Sequence, residues 1–302
     1  MHRIAIIGKQ GQVARSLAEA APAHGLEAVF LARPALDLAR LTPAQSPALT
    51  DMLAGLGVDA VINAAAYTNV DGAEGDEATA TTVNATGTAV LADVAARLNV
   101  PFLHISTDYV FDGSKPGAYV EHDPVAPMGA YGRSKLAGER AVRAANPHAF
   151  IFRTAWVYSP FGKNFLKTML RLAANRDELG VVADQHGNPT YAPAIADGLL
   201  AVLAALPESG WQKRAGLYHM TATGDATWHA FAEAIFDEAA RFGHPRPAVK
   251  ALTTADFPTP AARPANSRLN SARLESTFGV RLPHWRLSTR ACVRRLFHQG
   301  GL

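Results

Sequence analysis

A single cysteine, Cys292, in 302 residues excludes an internal disulfide and a cysteine-built zinc cage. The eleven histidines include no pair at a metal-ligand spacing such as H-E-x-x-H, so each reads as a surface or core residue and no metal site is expected. Long apolar runs are missing too. The longest, around Leu199 to Leu206, falls well short of the roughly 20 residues that cross a bilayer. The opening Met-His-Arg and Ile4-Ala5-Ile6-Ile7 form too brief an apolar stretch for a signal peptide. Cytoplasmic placement without a membrane span is the resulting expectation. Nor is there a marked charge of one sign: 29 basic residues are spread among 26 acidic ones, for a net charge of +3, which argues against nucleic acid as a partner. Internal repeats are absent, and the only compositional bias is toward alanine in helical stretches.

What the chain does have is an apolar fraction of 48%, enough at this length for one sizeable α/β domain and a smaller companion. Short apolar runs alternate with amphipathic stretches through the first half: Arg3–Ile7, Gln12–Ala20, Ala28–Leu31, Ala48–Leu56, Ala60–Asn63, Ala80–Leu98, Phe102–Ser106, Tyr131–Ala145 and Ala149–Arg153. Strand followed by helix, repeated, predicts an α/β fold: a Rossmann-type, doubly wound parallel sheet with helices on both faces. The second half is less regular. Its proline and glycine clusters, Gly187 to Pro193 and Phe257 to Pro264, predict a smaller, discontinuous α/β substrate domain. The expected division puts residues 1–156 and about 192–222 in the dinucleotide-binding domain, and about 157–191 and 223–302 in the substrate domain.

The first strand runs into Gly8-Lys9-Gln10-Gly11-Gln12-Val13-Ala14, a G-x-x-G-x-x-A pattern that leads into a helix. Gly8 and Gly11 let the backbone turn and approach a pyrophosphate, while the helix N-terminus offers free N–H groups and the positive end of its dipole. At the end of the second strand stands Arg33, where proteins that prefer NADH place an acid. An arginine there suits the 2′-phosphate of NADPH, so NADPH is the expected cofactor and NADH the alternative. Asp37, just beyond, is within reach of the adenosine. After the third strand, Ala64, Ala65 and Ala66, followed by Tyr67 and Thr68, leave room for a flat ligand to cross the strand ends.

A catalytic pattern follows. Strand Phe102–Ser106 continues into Thr107-Asp108-Tyr109, and Tyr131-Gly132-Arg133-Ser134-Lys135 opens an amphipathic stretch some twenty residues later. Residues four apart on a helix share a face, so the Tyr131 phenol and the Lys135 ammonium converge. An adjacent cation is expected to lower the phenol's pKa and make Tyr131 a usable acid near neutrality. The Thr107 hydroxyl, on the strand end opposite, is placed to hold a carbonyl oxygen that becomes an alkoxide on hydride transfer. Lys135 can also bond a cofactor ribose. A glycine loop, a Ser-Thr strand end and a Tyr-Lys pair, in that order, are what a nicotinamide-dependent reductase of the short-chain type requires.

With these motifs the chain resembles the dTDP-4-dehydrorhamnose reductases, extended members of the short-chain dehydrogenase/reductase superfamily. The likeness runs over nearly the whole chain. It is carried also by Tyr131-Gly132-x-x-Lys135-Leu136-Ala137-Gly138-Glu139, Phe152-Arg153-Thr154-Ala155-Trp156-Val157-Tyr158, Asp184-Gln185-x-Gly187-x-Pro189-Thr190 and Arg263-Pro264-x-Asn266-Ser267-Arg268-Leu269. The resemblance implies reduction of the 4-keto group of a dTDP-linked sugar, Tyr131 being the proton donor and Lys135 its partner. It implies cofactor phosphates at Gly11, Gln12 and Val13, and adenosine and ribose near Asp37, Leu38 and the Ala64–Thr68 stretch. Thr107 and Asp108 would contact the sugar, Trp156 would pack on it, and the block with Arg263, Asn266 and Ser267 would hold the nucleotide diphosphate. Some members hold magnesium with glutamates at a dimer contact. The matching positions here are Ser16 and Pro193, which puts a magnesium-bridged dimer in doubt and leaves a monomer or weak homodimer as the expectation. Two alternatives stay open: a non-catalytic cofactor-binding regulatory subunit of the same fold, such as the partner of methionine adenosyltransferase, and a reductase or epimerase acting on another nucleotide sugar.

Overall fold

In the computed structural model, which describes residues 1–299, the alternation of the first half becomes a run of strand–helix units. In chain order these are β1 (Arg3–Ile7), α1 (Gln12–Ala20), β2 (Glu27–Leu31), α2 (Ser46–Gly55), β3 (Ala60–Asn63), the short helices α3 (Val70–Gly75) and α4 (Glu77–Thr81), α5 (Thr88–Leu98), β4 (Phe102–Thr107), α6 (Ala130–Ala145) and β5 (Phe150–Thr154). The later half adds α7 (Phe165–Ala173), β6 (Glu178–Val182), α8 (Ala192–Ala204), β7 (Gly216–His219), α9 (Trp228–Ala240), β8 (Ala248–Leu252), α10 (Ala272–Phe278) and α11 (Trp285–Gln299). The last three residues of the segment expected to end at 302 lie outside the described residues.

Six strands form one all-parallel sheet in the order β7-β5-β4-β3-β1-β2. The doubly wound sheet expected from the sequence is therefore present, and β1 shows why its run is unbrokenly apolar. With a pleat of period two, Ile4 and Ile6 pack on one face against Val13 and Leu17 of α1 and Ile195 and Leu199 of α8. Ala5 and Ile7 pack on the other, against Leu53 of α2 and Leu91 and Val94 of α5. Strand order reverses at β1, with β2 on one side and β3 on the other. The crevice beyond the carboxyl ends of β1 and β3 is thus the switch point where open α/β sheets receive ligands.

A third core gathers Tyr158, Leu166, Leu170, Phe231, Phe236, Trp285 and Val293 from segments late in the chain, next to the parallel pair β6–β8. Cys292 lies inside it, and burial pushes its thiol up to about 12, leaving it unreactive. The stretch Ala80–Leu98, which reads as one amphipathic unit, is split in the structure. A wide π-helical turn at Thr82–Gly87 separates α4 from α5. The turn lies where α6 comes closest: a Cβ placed on Gly138 would stand 2.1 Å from the Asn84 carbonyl oxygen, so only glycine allows this approach.

Candidate active site

The glycine loop forms the floor of the crevice. Gly8 has φ +104°, a left-handed conformation that side chains rarely adopt, and its N–H donates to Leu31 at 2.8 Å, tying the turn to β2. Gly11 caps α1 without any side-chain hydrogen bond, and a Cβ there would meet only the Ala64 carbonyl, at 3.9 Å. The first N–H groups of α1 are thus free to bind an anion, as a dinucleotide pyrophosphate requires. Val13 is buried in the core, so it contributes backbone only. The Gln12 side chain turns the other way. It accepts from Ser159 at 2.7 Å and Asn164 at 3.0 Å and donates to the Val157 carbonyl at 3.3 Å, linking the loop to the segment after β5.

Around the crevice, Arg33 is exposed, with no hydrogen bond or ion pair among the described residues. Asp37 accepts from the Ala39 N–H at 3.1 Å, and Leu38 is buried against Gly87. Ala64, Ala65, Ala66 and Tyr67 are partly buried and Thr68 exposed, so the stretch lines the opening. Asn84, to which sequence reasoning gives no role, holds it there. Its amide accepts from the Tyr67 N–H at 2.8 Å and donates to the Tyr67 carbonyl at 3.1 Å and to Ser134 of α6 at 2.9 Å. An isolated Asn in a helical stretch carries no signal for such a long-range clamp.

Tyr131 stands in the first turn of α6, whose start is fixed by Glu74 accepting from the Ala130 N–H at 2.8 Å. The helix lies close to the strand end because Gly132 has no side chain: a Cβ there would be 2.2 Å from the Tyr109 carbonyl oxygen. Lys135 is buried, and its Nζ donates to the Ile105 carbonyl of β4 at 2.8 Å. Thr107, at the end of β4, donates to Asp108 at 3.0 Å and lies beside the Tyr131 hydroxyl. Tyr131 therefore lies beside Thr107, while Lys135, one helical turn on, is held two residues earlier on the same strand.

The electrostatics correct one expectation. Tyr131 is pushed up to about 12, not down, chiefly because the cleft strips water from its hydroxyl. The Thr107 hydroxyl opposes this and the Asp108 charge adds to it. Lys135 does not draw the phenol down, since its own burial pulls the ammonium to about 8. Tyr131 is consequently a neutral phenol with its proton in place, which suits a donor. Asp108 is raised to about 6, again by burial first, with the Ser267 and Thr107 hydroxyls opposing, and its Oδ2 has no partner among the described residues.

On the sugar side, Trp156 has φ +47° and lies flat on Trp228, ring centroids 3.5 Å apart and planes 5° off parallel. Gly187 leaves it space, as a Cβ there would come within 2.4 Å of the indole. Trp228 is missed from sequence because an aromatic at the start of α9 looks like an ordinary core residue. Arg263 pairs with Asp71 at 2.9 Å and lies against Tyr109, whose ring meets Tyr131 edge-on at 5.6 Å. The expected phosphate-binding fork is therefore already engaged across the cleft. Asn266 is buried and fully occupied, donating to the Gly117 carbonyl at 2.8 Å and accepting from Arg268 at 2.8 Å, so its side chain shapes the loop and is not free for phosphate. Ser267 lies beside Asp108 and takes its N–H to the His186 carbonyl at 2.8 Å. The two magnesium positions do not fit a metal. Ser16 is buried and donates to the Gln12 carbonyl at 2.8 Å, and Pro193 has no ligating group.

The family model for the RmlD substrate binding domain matches residues 1–297. Among curated proteins, the chain is similar to the dTDP-4-dehydrorhamnose reductase of Sinorhizobium fredii, 46% identical over 300 residues, covering 99% of each chain. A second, from Burkholderia thailandensis, is 44% identical over 305 residues, covering 98% of this chain and 100% of that one. Among solved structures, the dTDP-4-dehydrorhamnose reductase of Bacillus anthracis in complex with NADP superposes with a TM-score of 0.88 at 31% identity, covering 97% of this chain and 99% of that one.

Proposed function

The chain belongs to the dTDP-4-dehydrorhamnose reductase family, and from that premise we infer that it reduces the 4-keto group of dTDP-4-dehydro-L-rhamnose to give dTDP-L-rhamnose, using NADPH. The observation that carries the reading is the meeting of Tyr131, Lys135 and Thr107 at the carboxyl end of β4, beside an anion-ready glycine turn.

The residues fit the cofactor. The uncapped start of α1 and the bare backbone of Gly8 and Gly11 suit a pyrophosphate, and the unpaired Arg33 suits a 2′-phosphate. When bound, NADPH supplies the hydride that goes to the sugar's C4. Thr107 and Tyr131 hold the carbonyl oxygen as negative charge develops on it. Tyr131 then gives its proton to that oxygen, a transfer for which a phenol at about 12 is always loaded at neutral pH. Lys135, held at the Ile105 carbonyl, would bond the cofactor ribose and is mostly protonated at neutral pH. Trp156, backed by Trp228, presents an aromatic edge to the deoxysugar. Arg263 exchanges Asp71 for the substrate diphosphate when the nucleotide enters.

Among the described residues no helix is long and apolar enough to cross a membrane. We place the enzyme in the cytoplasm, acting on a small nucleotide sugar as a monomer or weak homodimer. The test is to supply dTDP-4-dehydro-L-rhamnose and NADPH and follow loss of nicotinamide absorbance. Oxidation stoichiometric with the sugar is expected. A folded protein that binds NADPH but does not oxidise it would favour a regulatory role instead.

A further inference from the structure

One turn beyond Lys135, on the same face of α6, stands Glu139. Its carboxylate is buried and meets two neighbouring strands at once. The Ser106 hydroxyl of β4 donates to it at 2.6 Å, and the Arg153 guanidinium of β5 forms a two-pronged pair at 2.8 and 2.7 Å. Ser106 and Arg153 are register partners in the sheet, so one carboxylate pins the helix to both strands. Both side chains of the ion pair are 3% exposed. A buried pair of this kind is a poor device for stability, because apolar residues of similar shape often serve as well or better. Its location suggests another use. Tyr131, Lys135 and Glu139 descend one helix face, and each meets the last residues of β4: Thr107, Ile105 and Ser106 in turn.

We propose that Glu139 is a positioning residue for the reduction: held by Arg153 and Ser106, it locks α6 in the register that sets Tyr131 beside Thr107, and it supplies the negative charge that faces Lys135. The proposal rests on the roles given to Tyr131 and Lys135 above. Lys135 is otherwise a buried cation whose hydrogen bond goes to a neutral carbonyl. Burial pulls it down and the Glu139 charge holds it up. The other charges around it do not replace that carboxylate. His104 of β4 is kept neutral by its own burial and by the Lys135 charge. Arg153 is positive, and Asp108 sits at the strand end with a pKa raised toward neutrality. On the elements behind α6, Glu74 caps the helix, Glu77 pairs with Arg133, and Asp93 with Arg97 and Ser46.

The test is Glu139→Gln, which keeps the shape and removes the charge. NADPH affinity is read by fluorescence against pH with no sugar present, alongside the pH profile of kcat/KM. In the wild-type protein both are expected to fall as Lys135 loses its proton near pH 8. In Glu139→Gln the fall is expected about one pH unit or more lower, a tenfold or greater loss of proton affinity at Lys135, and Glu139→Asp should restore most of the wild-type profile. Should the single variant not fold, Glu139→Gln with Arg153→Gln keeps a neutral hydrogen-bonded pair, and a smaller downward shift is expected because the lost Arg153 charge offsets part of it. A folded variant with the wild-type pH profile would overturn the proposal. Failure of the wild-type protein to turn over the sugar would count against the reduction itself, while the cofactor titration would still report on Lys135.

Discussion

Replacing Asp108 by asparagine should make the protein more stable at neutral pH and a worse enzyme. Asp108 is 2% exposed, its Oδ2 has no partner among the described residues, and burial raises it from 3.8 to about 6. A carboxyl whose folded pKa lies above its unfolded one binds more protons when folded, so its contribution to stability falls as pH rises from the unfolded value through the folded one. The shift of about two units corresponds to a penalty of about 3 kcal/mol once pH exceeds both values. About half of that penalty, roughly 1.4 kcal/mol, develops between about pH 5 and about pH 8. The substituted asparagine stays neutral throughout, and its carbonyl still accepts from Thr107. Urea unfolding of both proteins at the two pH values isolates the effect, because every other titrating group cancels in the difference. The variant's advantage should grow by about 1.4 kcal/mol toward high pH, while kcat/KM drops with the loss of a sugar contact. Parallel stability profiles for the two proteins would refute the claim that Asp108 is buried without adequate compensation.

Arg33→Ala should raise KM for NADPH about tenfold, the scale of one lost charge-assisted phosphate contact, and leave KM for NADH unchanged; steady-state kinetics with each cofactor checks this. Gly138→Ala should destabilise by about 1–3 kcal/mol, although alanine is normally the better helix former by about 1 kcal/mol. The reason is the 2.1 Å approach to the Asn84 carbonyl, and the readout is the urea midpoint.

Much of this architecture is legible in the sequence because it is local. The alternation of short apolar runs with amphipathic stretches in the first half gives the parallel sheet, and Gly8, Gly11, Tyr131 and Lys135 sit in short motifs whose spacing has geometric meaning. What is not legible depends on which distant residues meet. The Asn84 clamp on Tyr67 spans 17 residues, the Glu139–Arg153 pair joins a helix to a strand, and Arg263 meets Asp71 across 192 positions. The direction of the Tyr131 shift is hidden from the sequence for the same reason. Spacing places Lys135 near the phenol, but only the packed structure reveals how strongly burial acts on both groups. Asn266 reads as a ligand residue within a distinctive block, yet its hydrogen bonds go to the backbone near Gly117 and to Arg268.

The central claim is that the Tyr131 hydroxyl delivers the proton. Tyr131→Phe removes that one atom while the ring keeps its edge-on contact with Tyr109, 5.6 Å between centroids. Stopped-flow and steady-state measurement of NADPH oxidation with dTDP-4-dehydro-L-rhamnose, beside the NADPH dissociation constant, should show kcat lower by about 10²- to 10⁴-fold with cofactor affinity unchanged. Wild-type turnover by the Tyr131→Phe protein would contradict the account.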